Sequence, residues 1–356
     1  MATSFKELES ARDSVVTRNL LHESIPITGS ILSGTYAADG NIKNFAHGMF
    51  QSVYDYPYLS SSANHIIDLT CGYAAVSGLS GATSTQNAKK INIYNQMAQV
   101  LVGFDENGAV RRFDEDGDLS GGTKINEAYF FNFTRLLVKD EIKKGSFTLT
   151  LGVSGAYGAP FGGGTTIDLV DSSGSNGYKV NSPAGEYGIL YATGSALTAS
   201  AVDGSGRVPA GLLYYQAGIA VVTASVFGSL LTTPVSMSTA NPSGIDQFLS
   251  GTAISGNADG IRHRVQNVSF NNTTELNSTV YFCRANNTDF NYSANQTYLS
   301  SSKMVVKTNS QDLPVSYVTS VGLYSPDNEL LAVAKLSEPL KKDPSTEFTI
   351  RVRLDY

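Results

Sequence analysis

Phe348-Thr349-Ile350-Arg351-Val352-Arg353-Leu354-Asp355 alternates apolar and polar residues without a break. Successive side chains of a strand point to opposite faces, so this spacing puts Phe348, Ile350, Val352 and Leu354 on one buried face and the polar residues on a wet one. Just upstream, 317–323 reads as a strand, Ser325-Pro326-Asp327-Asn328 as a turn, and 329–336 as the returning strand of a hairpin. The spacing predicts a C-terminal β-module over 317–356. Its apolar faces would be built from Val321, Leu323, Leu331, Val333, Ile350 and Val352.

The same period continues toward the N-terminus. Residues 146–152 alternate Phe147, Leu149 and Leu151 with polar positions, and 127–138 carries Tyr129, Phe130, Phe131 and Phe133. From 153 to 260 the composition shifts to Gly, Ser, Thr and Ala, with turn clusters between short apolar runs, which predicts strands near 167–170, 188–192, 212–215 and 219–226. A helix is expected over 88–102, where Ile91, Tyr94, Ala98 and Leu101 share a face. Another is expected over 5–21, opened by the capping-box pair Ser4 and Glu7 and carrying Phe5, Leu8, Ala11, Val15 and Leu20 at helical spacing. Such a helix packs on its own domain or docks on a neighbouring subunit. The asparagine-rich stretch 267–295 reads as turn-forming around a strand at 280–283.

The expected fold class is therefore mainly β with a few helices (α+β), made of β-sandwich-like subdomains behind an N-terminal amphipathic helix. Four segments follow: a helical arm at 1–35, a mixed α+β domain at 36–152, a Gly/Ser/Thr-rich β domain or insertion at 153–260, and a C-terminal β domain with its hairpin at 261–356. A chain of 356 residues exceeds what one core usually serves.

Composition narrows the function. Charged residues make up only 16% and the net charge is −6 with the cations scattered, so no footprint for a nucleic-acid backbone is present. The charges at 6–13 break any apolar leader core, and the most apolar run, 211–234, is β-branched and interrupted by polar residues, which suits strands better than a membrane span. Cys71 and Cys283 stand far apart, read as two buried thiols, and would pair only in an oxidising compartment.

Catalytic chemistry needs a nucleophile with its base, paired carboxylates or a phosphate cradle. The sequence offers no GxSxG, HExxH or GxxxxGK[ST] pattern, so no catalytic, cofactor or metal residues are assigned. His22, His47, His65 and His263 stand apart, and Asp114, Asp116 and Glu127 lie too close to a turn to persuade as a hydrolytic pair. Asp114-Glu115-Asp116-Gly117-Asp118 resembles the start of a calcium loop but has Ile125 where the loop's twelfth-position Glu belongs, and reads as a solvated turn. Tyr54, Tyr56 and Tyr58 are read as interface residues, with Phe5, Leu8 and Val15, or as a platform for host surface glycan.

The stretch 44–58, the run 129–152 and the ending 317–356 resemble virion structural proteins of contractile-tailed phages that infect marine cyanobacteria, of the tail, baseplate or fibre-associated type. In particular, Val321-Gly322-Leu323-Tyr324-Ser325-Pro326-Asp327-Asn328-Glu329-Leu330-Leu331-Ala332-Val333-Ala334-Lys335 is similar to a hairpin of such proteins. The likeness covers the two ends and the first third better than the Gly/Ser/Thr-rich middle. It implies a non-enzymatic particle component located in the virion, with copies of itself and other virion proteins as partners, and no nucleic acid or membrane. A capsid or neck component and a receptor-binding module are the alternatives.

Overall fold

The computed structural model describes residues 5–23, 39–81, 85–137, 140–198, 206–238, 244–291, 311 and 313–355. In chain order the elements are α1 (Ser10–Asp13), β1 (Ser14–Glu23), β2 (Ile42–Asn44), β3 (Gln51–Tyr54), β4 (His65–Tyr73), α2 (Asn87–Leu101), β5 (Phe113–Asp114) and β6 (Lys124–Ile125). There follow β7 (Glu127–Asn132), β8 (Glu141–Ile142), β9 (Thr148–Gly152), β10 (Thr166–Val170), α3 (Gly174–Gly177), β11 (Tyr187–Thr193), β12 (Arg207–Tyr214) and β13 (Ile219–Thr223). The rest are α4 (Ile245–Gly251), α5 (Ile254–Arg262), β14 (Val265–Ser269), β15 (Asn272–Ala285), β16 (Ser316–Tyr324), β17 (Leu330–Lys342) and β18 (Phe348–Asp355). The protein is mainly β with a few helices.

The chain divides into a larger unit, 21–274, and a smaller one made of 1–20 and 275–356. In the larger unit ten antiparallel strands run in the order β14-β9-β10-β11-β12-β13-β7-β4-β3-β2. This overturns the expected boundary at 152/153. The Gly/Ser/Thr-rich strands β10 to β13 lie between β9 and β7, both from the preceding segment, so the middle third supplies the centre of one sheet rather than an inserted domain. Leu190, Leu212, Leu213, Val221 and Val222 of these strands lie in one hydrophobic cluster with Phe130, Phe131, Leu149 and Leu151 of the preceding segment.

Helix α2 packs on β4, and it lies so close that a Cβ on Gly72 would stand 2.6 Å from the Lys90 carbonyl. Its buried face is Ile93, Tyr94, Ala98 and Leu101, with the expected Ile91 only half-buried. Tyr94 reaches through to donate to the Ile125 carbonyl at 2.6 Å. The aromatic run of β7 fills the core, and Phe133 beyond it meets Phe131, Phe147 and Phe270 with ring centroids 6.3, 5.6 and 6.1 Å away. Those contacts gather the segments around β7, β9 and β14.

Two cations are buried in this unit without a carboxylate at hand among the described residues. Lys90 donates to the carbonyls of Leu249 and, at 2.7 Å, Thr252, at the C-terminal end of α4, where the helix dipole favours positive charge. Arg264, fully buried, donates to the Gly152 and Ser154 carbonyls at 2.9 Å and to Ser236 at 2.7 Å, and burial pulls its guanidinium down to about 10. Lys90 thereby ties α2 to the end of α4, and Arg264 ties the paired strands β9 and β14 to the segment at Ser236.

In the smaller unit β1, β15 and β18 form a sheet in that order, and β16 pairs with β17 as a separate two-stranded ribbon. The expected helix over 5–21 is corrected here. Only one turn, Ser10–Asp13, is helical, and Ser14–Glu23 is a strand, because the run Val15-Val16-Thr17 is β-branched and loses side-chain freedom in a helix. The asparagine stretch differs too: Asn267 and the buried Asn272 lie within strands, and Asn277 continues the fourteen-residue β15; Asn295 lies outside the described residues.

Phe133→Ala should lower unfolding free energy by about 3–5 kcal/mol, read as a shift of the urea midpoint at unchanged slope.

Candidate functional site

The register of the β16–β17 ribbon decides which expected core residues are covered. Val321 pairs with Ala334 and Leu323 with Ala332, so these four share a face, and both Val321 and Leu323 are half-buried. Tyr324 pairs with Leu330, which leaves Leu331 as the extra residue of a bulge and reverses the face of everything before it. Val333 stands opposite Gly322 on the other face. Leu331 and Val333 are therefore 67% and 56% exposed, contrary to their expected place in the core. Val352 is buried and Ile350 half-buried, as their alternation predicts, but β18 pairs with β15 and not with the ribbon, so the expected three-stranded module does not form.

The smaller unit buries few apolar side chains. Among the described residues they are Val280, Ala285 and Val352, whereas Val15, Val16, Tyr317, Tyr324, Leu330, Leu331, Val333 and Leu340 are exposed. Phe5, 60% exposed, caps Tyr324 edge-to-face with centroids 5.2 Å apart, and Leu8 is half-buried. The N-terminal segment is tied down by charge, through Lys6 to Asp289 at 2.6 Å and Arg284 to Asp13 at 3.1 Å. The outer edges of β1 and β18 are unpaired among the described residues. Lys342, fully buried, donates to Asn291 Oδ1 at 2.7 Å and to the Asn287 and Asp343 carbonyls at 3.3 and 2.9 Å.

In the larger unit the β3–β4 connection carries the tyrosine cluster. Asp55 accepts from the Asn64 amide at 2.6 Å and from its side chain at 2.7 Å, closing the loop. Tyr54 packs inward against His65, while Tyr56 is 58% exposed and Leu59 lies bare beside Tyr58. The structure thus brings Tyr54 and Tyr58 together, at a centroid separation of 6.2 Å, and turns Tyr56 to solvent.

The histidines do not converge. His65 bonds Asp68 at 2.7 Å, His47 stacks on Phe45, and His263 stacks on Tyr157 at 4.4 Å; the side chain of His22 lies outside what is described. Cys71 and Cys283 are free thiols, and burial pushes the Cys71 thiol up to about 12, a sulfur with little thiolate character; Cys283 is half-buried rather than buried. Asp114 is buried, so the acidic turn is not the simply solvated one expected. A depression of about 250 Å³ beside it is lined by Glu115, Lys124, Glu127 and Thr223 among others.

Sequence reasoning missed a buried ionic network at the ends of β8, β10 and β11. Lys144 bridges Glu141 at 3.0 Å and Glu186 at 2.6 Å, which together raise its ammonium above the ordinary value against the opposing cost of burial. Asp171 accepts from the Gly145 amide at 2.8 Å and from the Tyr215 hydroxyl at 2.9 Å. These residues are scattered through 141–215, and no local spacing links them.

No family model, curated protein or solved structure matches the chain.

Burial holds the Asp171 carboxyl above its ordinary 3.8 despite those two donors. A carboxyl raised in the folded state favours folding in its protonated form. That contribution is complete below 3.8 and is lost as pH climbs through the raised native value. Asp171→Asn keeps the neutral form and an acceptor oxygen. Its melting temperature, compared with wild type across the acid range, should gain on wild type as pH rises; a constant difference would show that Asp171 does not titrate this way.

Proposed function

We propose that the protein is a non-enzymatic structural subunit of a tailed-phage particle, of the tail, baseplate or fibre-attachment region, and that it self-associates through its smaller unit. The particle assignment rests on the resemblance of 44–58, 129–152 and 317–356 to cyanophage virion proteins. Self-association rests on one observation: the smaller unit leaves Tyr324, Leu330, Leu331 and Val333 in solvent while burying only three apolar residues of its own among those described.

A two-stranded ribbon is marginal in water, and a unit with so small a core lacks the apolar burial to offset its ordering entropy. Bare strand edges need pairing or cover. A second copy supplies both, because an identical ribbon and identical edges are self-complementary about a symmetry axis, and adding a strand at β1 or β18 satisfies backbone groups directly. The low charged fraction of 16% fits a chain that covers much of itself with neighbours.

A second reading, that the β3–β4 loop binds host surface glycan, draws on the exposure of Tyr56 and Leu59. Glycan-array binding lost in Tyr56→Ala would favour it.

Size-exclusion chromatography with light scattering should show a defined oligomer. Val333→Asp, at an exposed position, should leave the protomer folded and weaken association by about tenfold or more. A wild-type chain that stays monomeric at high concentration and is absent from purified particles by mass spectrometry overturns the proposal.

A further inference from the structure

The ribbon β5–β6 carries the turn 115–123 between its strands, and three carboxylates meet there. One oxygen each from Asp114, Asp116 and Asp118 lies within 4.8 Å of the other two. Two oxygens held 2.3–2.6 Å from a common calcium ion can be at most about 5 Å apart, so the group fits one ion of that size. Exposed acidic turns often have such proximity without binding anything.

A second feature sets this turn apart. Asp114 is buried, its side chain wholly so, and its Oδ1 has no hydrogen-bond partner. Lys124 approaches the other oxygen, Oδ2, to 2.7 Å as a charge contact without hydrogen-bond geometry. Oδ1 faces the cluster: a Cβ built on Gly122 would stand 3.4 Å from Asp116 Oδ2 and 3.6 Å from Asp114 Oδ1, so both oxygens border one small space. A bare buried carboxylate oxygen is unfavourable in the absence of a positive partner, and Lys124 faces the opposite oxygen.

We propose that Asp114, Asp116 and Asp118 form a calcium-binding site, with Asp114 Oδ1 as its buried ligand. Hard carboxylate oxygens without a nitrogen or sulfur donor among them select calcium-type ions over transition metals, and a turn with free backbone carbonyls and open solvent completes a coordination number of 6–8 in a way compact magnesium does not require. The Ser120 amide donates to Asp118 Oδ1 at 2.7 Å and holds that carboxyl in place.

The ion would brace the turn against the main sheet. The Gly117 carbonyl accepts from Asn181 Nδ2 at 3.0 Å and from the Tyr187 hydroxyl at 3.1 Å, Tyr187 being the first residue of β11, and the Lys179 stem packs alongside. Neutralising the carboxylates on one side of Gly117 fixes the carbonyl that both donors use. The twelfth-position Glu of an EF-hand loop is absent, with Ile125 buried in the core instead, so the site differs from that motif in where its ligands end.

The full chain, stripped with chelator, is titrated with calcium chloride by calorimetry, and with terbium by emission excited through tyrosine, a clean readout because the chain has no tryptophan. Expected are one ion per chain, terbium emission displaced by calcium, and a melting temperature raised by about 5–10 °C at a hundredfold excess over the dissociation constant. The double variant Asp116→Asn/Asp118→Asn alters exposed positions only, so it should keep the wild-type circular dichroism and bind at least tenfold more weakly. The proposal is overturned if calcium gives no saturable binding up to millimolar concentration, if the folded double variant binds as tightly as wild type, or if magnesium binds as well as calcium.

Discussion

The larger unit depends on the pairing of β7 with β13, in register from Ile219 against Asn132 to Thr223 against Ala128. Every residue of β7 between its ends is buried, and Ala220, Val221 and Val222 opposite are fully enclosed. This ladder joins β4, β3 and β2 to the strands contributed by the middle of the chain. Its two strands are separated in sequence by roughly ninety residues, so the closure entropy must be met by the apolar surface buried there. The aromatic density of 127–133 supplies that surface: Tyr129, Phe130, Phe131 and Phe133 are all enclosed, and Tyr94 and Phe113 cross the same core at right angles to each other.

Once the sheet exists, the segments around it need fastening, and buried polar groups do this. Lys90 and Arg264 bind carbonyls left over at loop and helix ends, and Asp171 collects an amide and a hydroxyl. Such groups cost desolvation, which is why burial lowers both cations and raises the acid. They specify geometry in return, since a charge in a dry interior tolerates few alternative arrangements.

The smaller unit obeys a different economy. It has long strands, β15 with fourteen residues and β17 with thirteen, but a sparse core among the described residues, and its ribbon turns apolar side chains to both sides. The bulge at Leu331 is the cause: one extra residue shifts the alternation of β17, so the residues that sequence periodicity assigns to a single face split between two. A surface of this kind is the physical basis for reading the unit as the one that meets other copies.

Local sequence determined the parts whose physics is local. Period-two alternation marked β9 and β18, short apolar runs between turn clusters marked β10, helical spacing marked α2, and Ser325 to Asn328 marked the turn, with Asn328 at the left-handed φ of 63°. It also determined the β-rich class and the absence of recognisable catalytic motifs. Tertiary structure alone decided the strand order, because hydrogen-bond partners are chosen by packing and not by adjacency; hence the segment read as an insertion became the centre of the sheet. It decided that Ser14–Glu23 is a strand, where β-branching and pairing with β15 outweighed an apolar spacing compatible with a helix. It likewise brought Asp114 Oδ1 into the interior and left Leu331 and Val333 outside, since burial belongs to the neighbours a side chain acquires and periodicity records only which way it points.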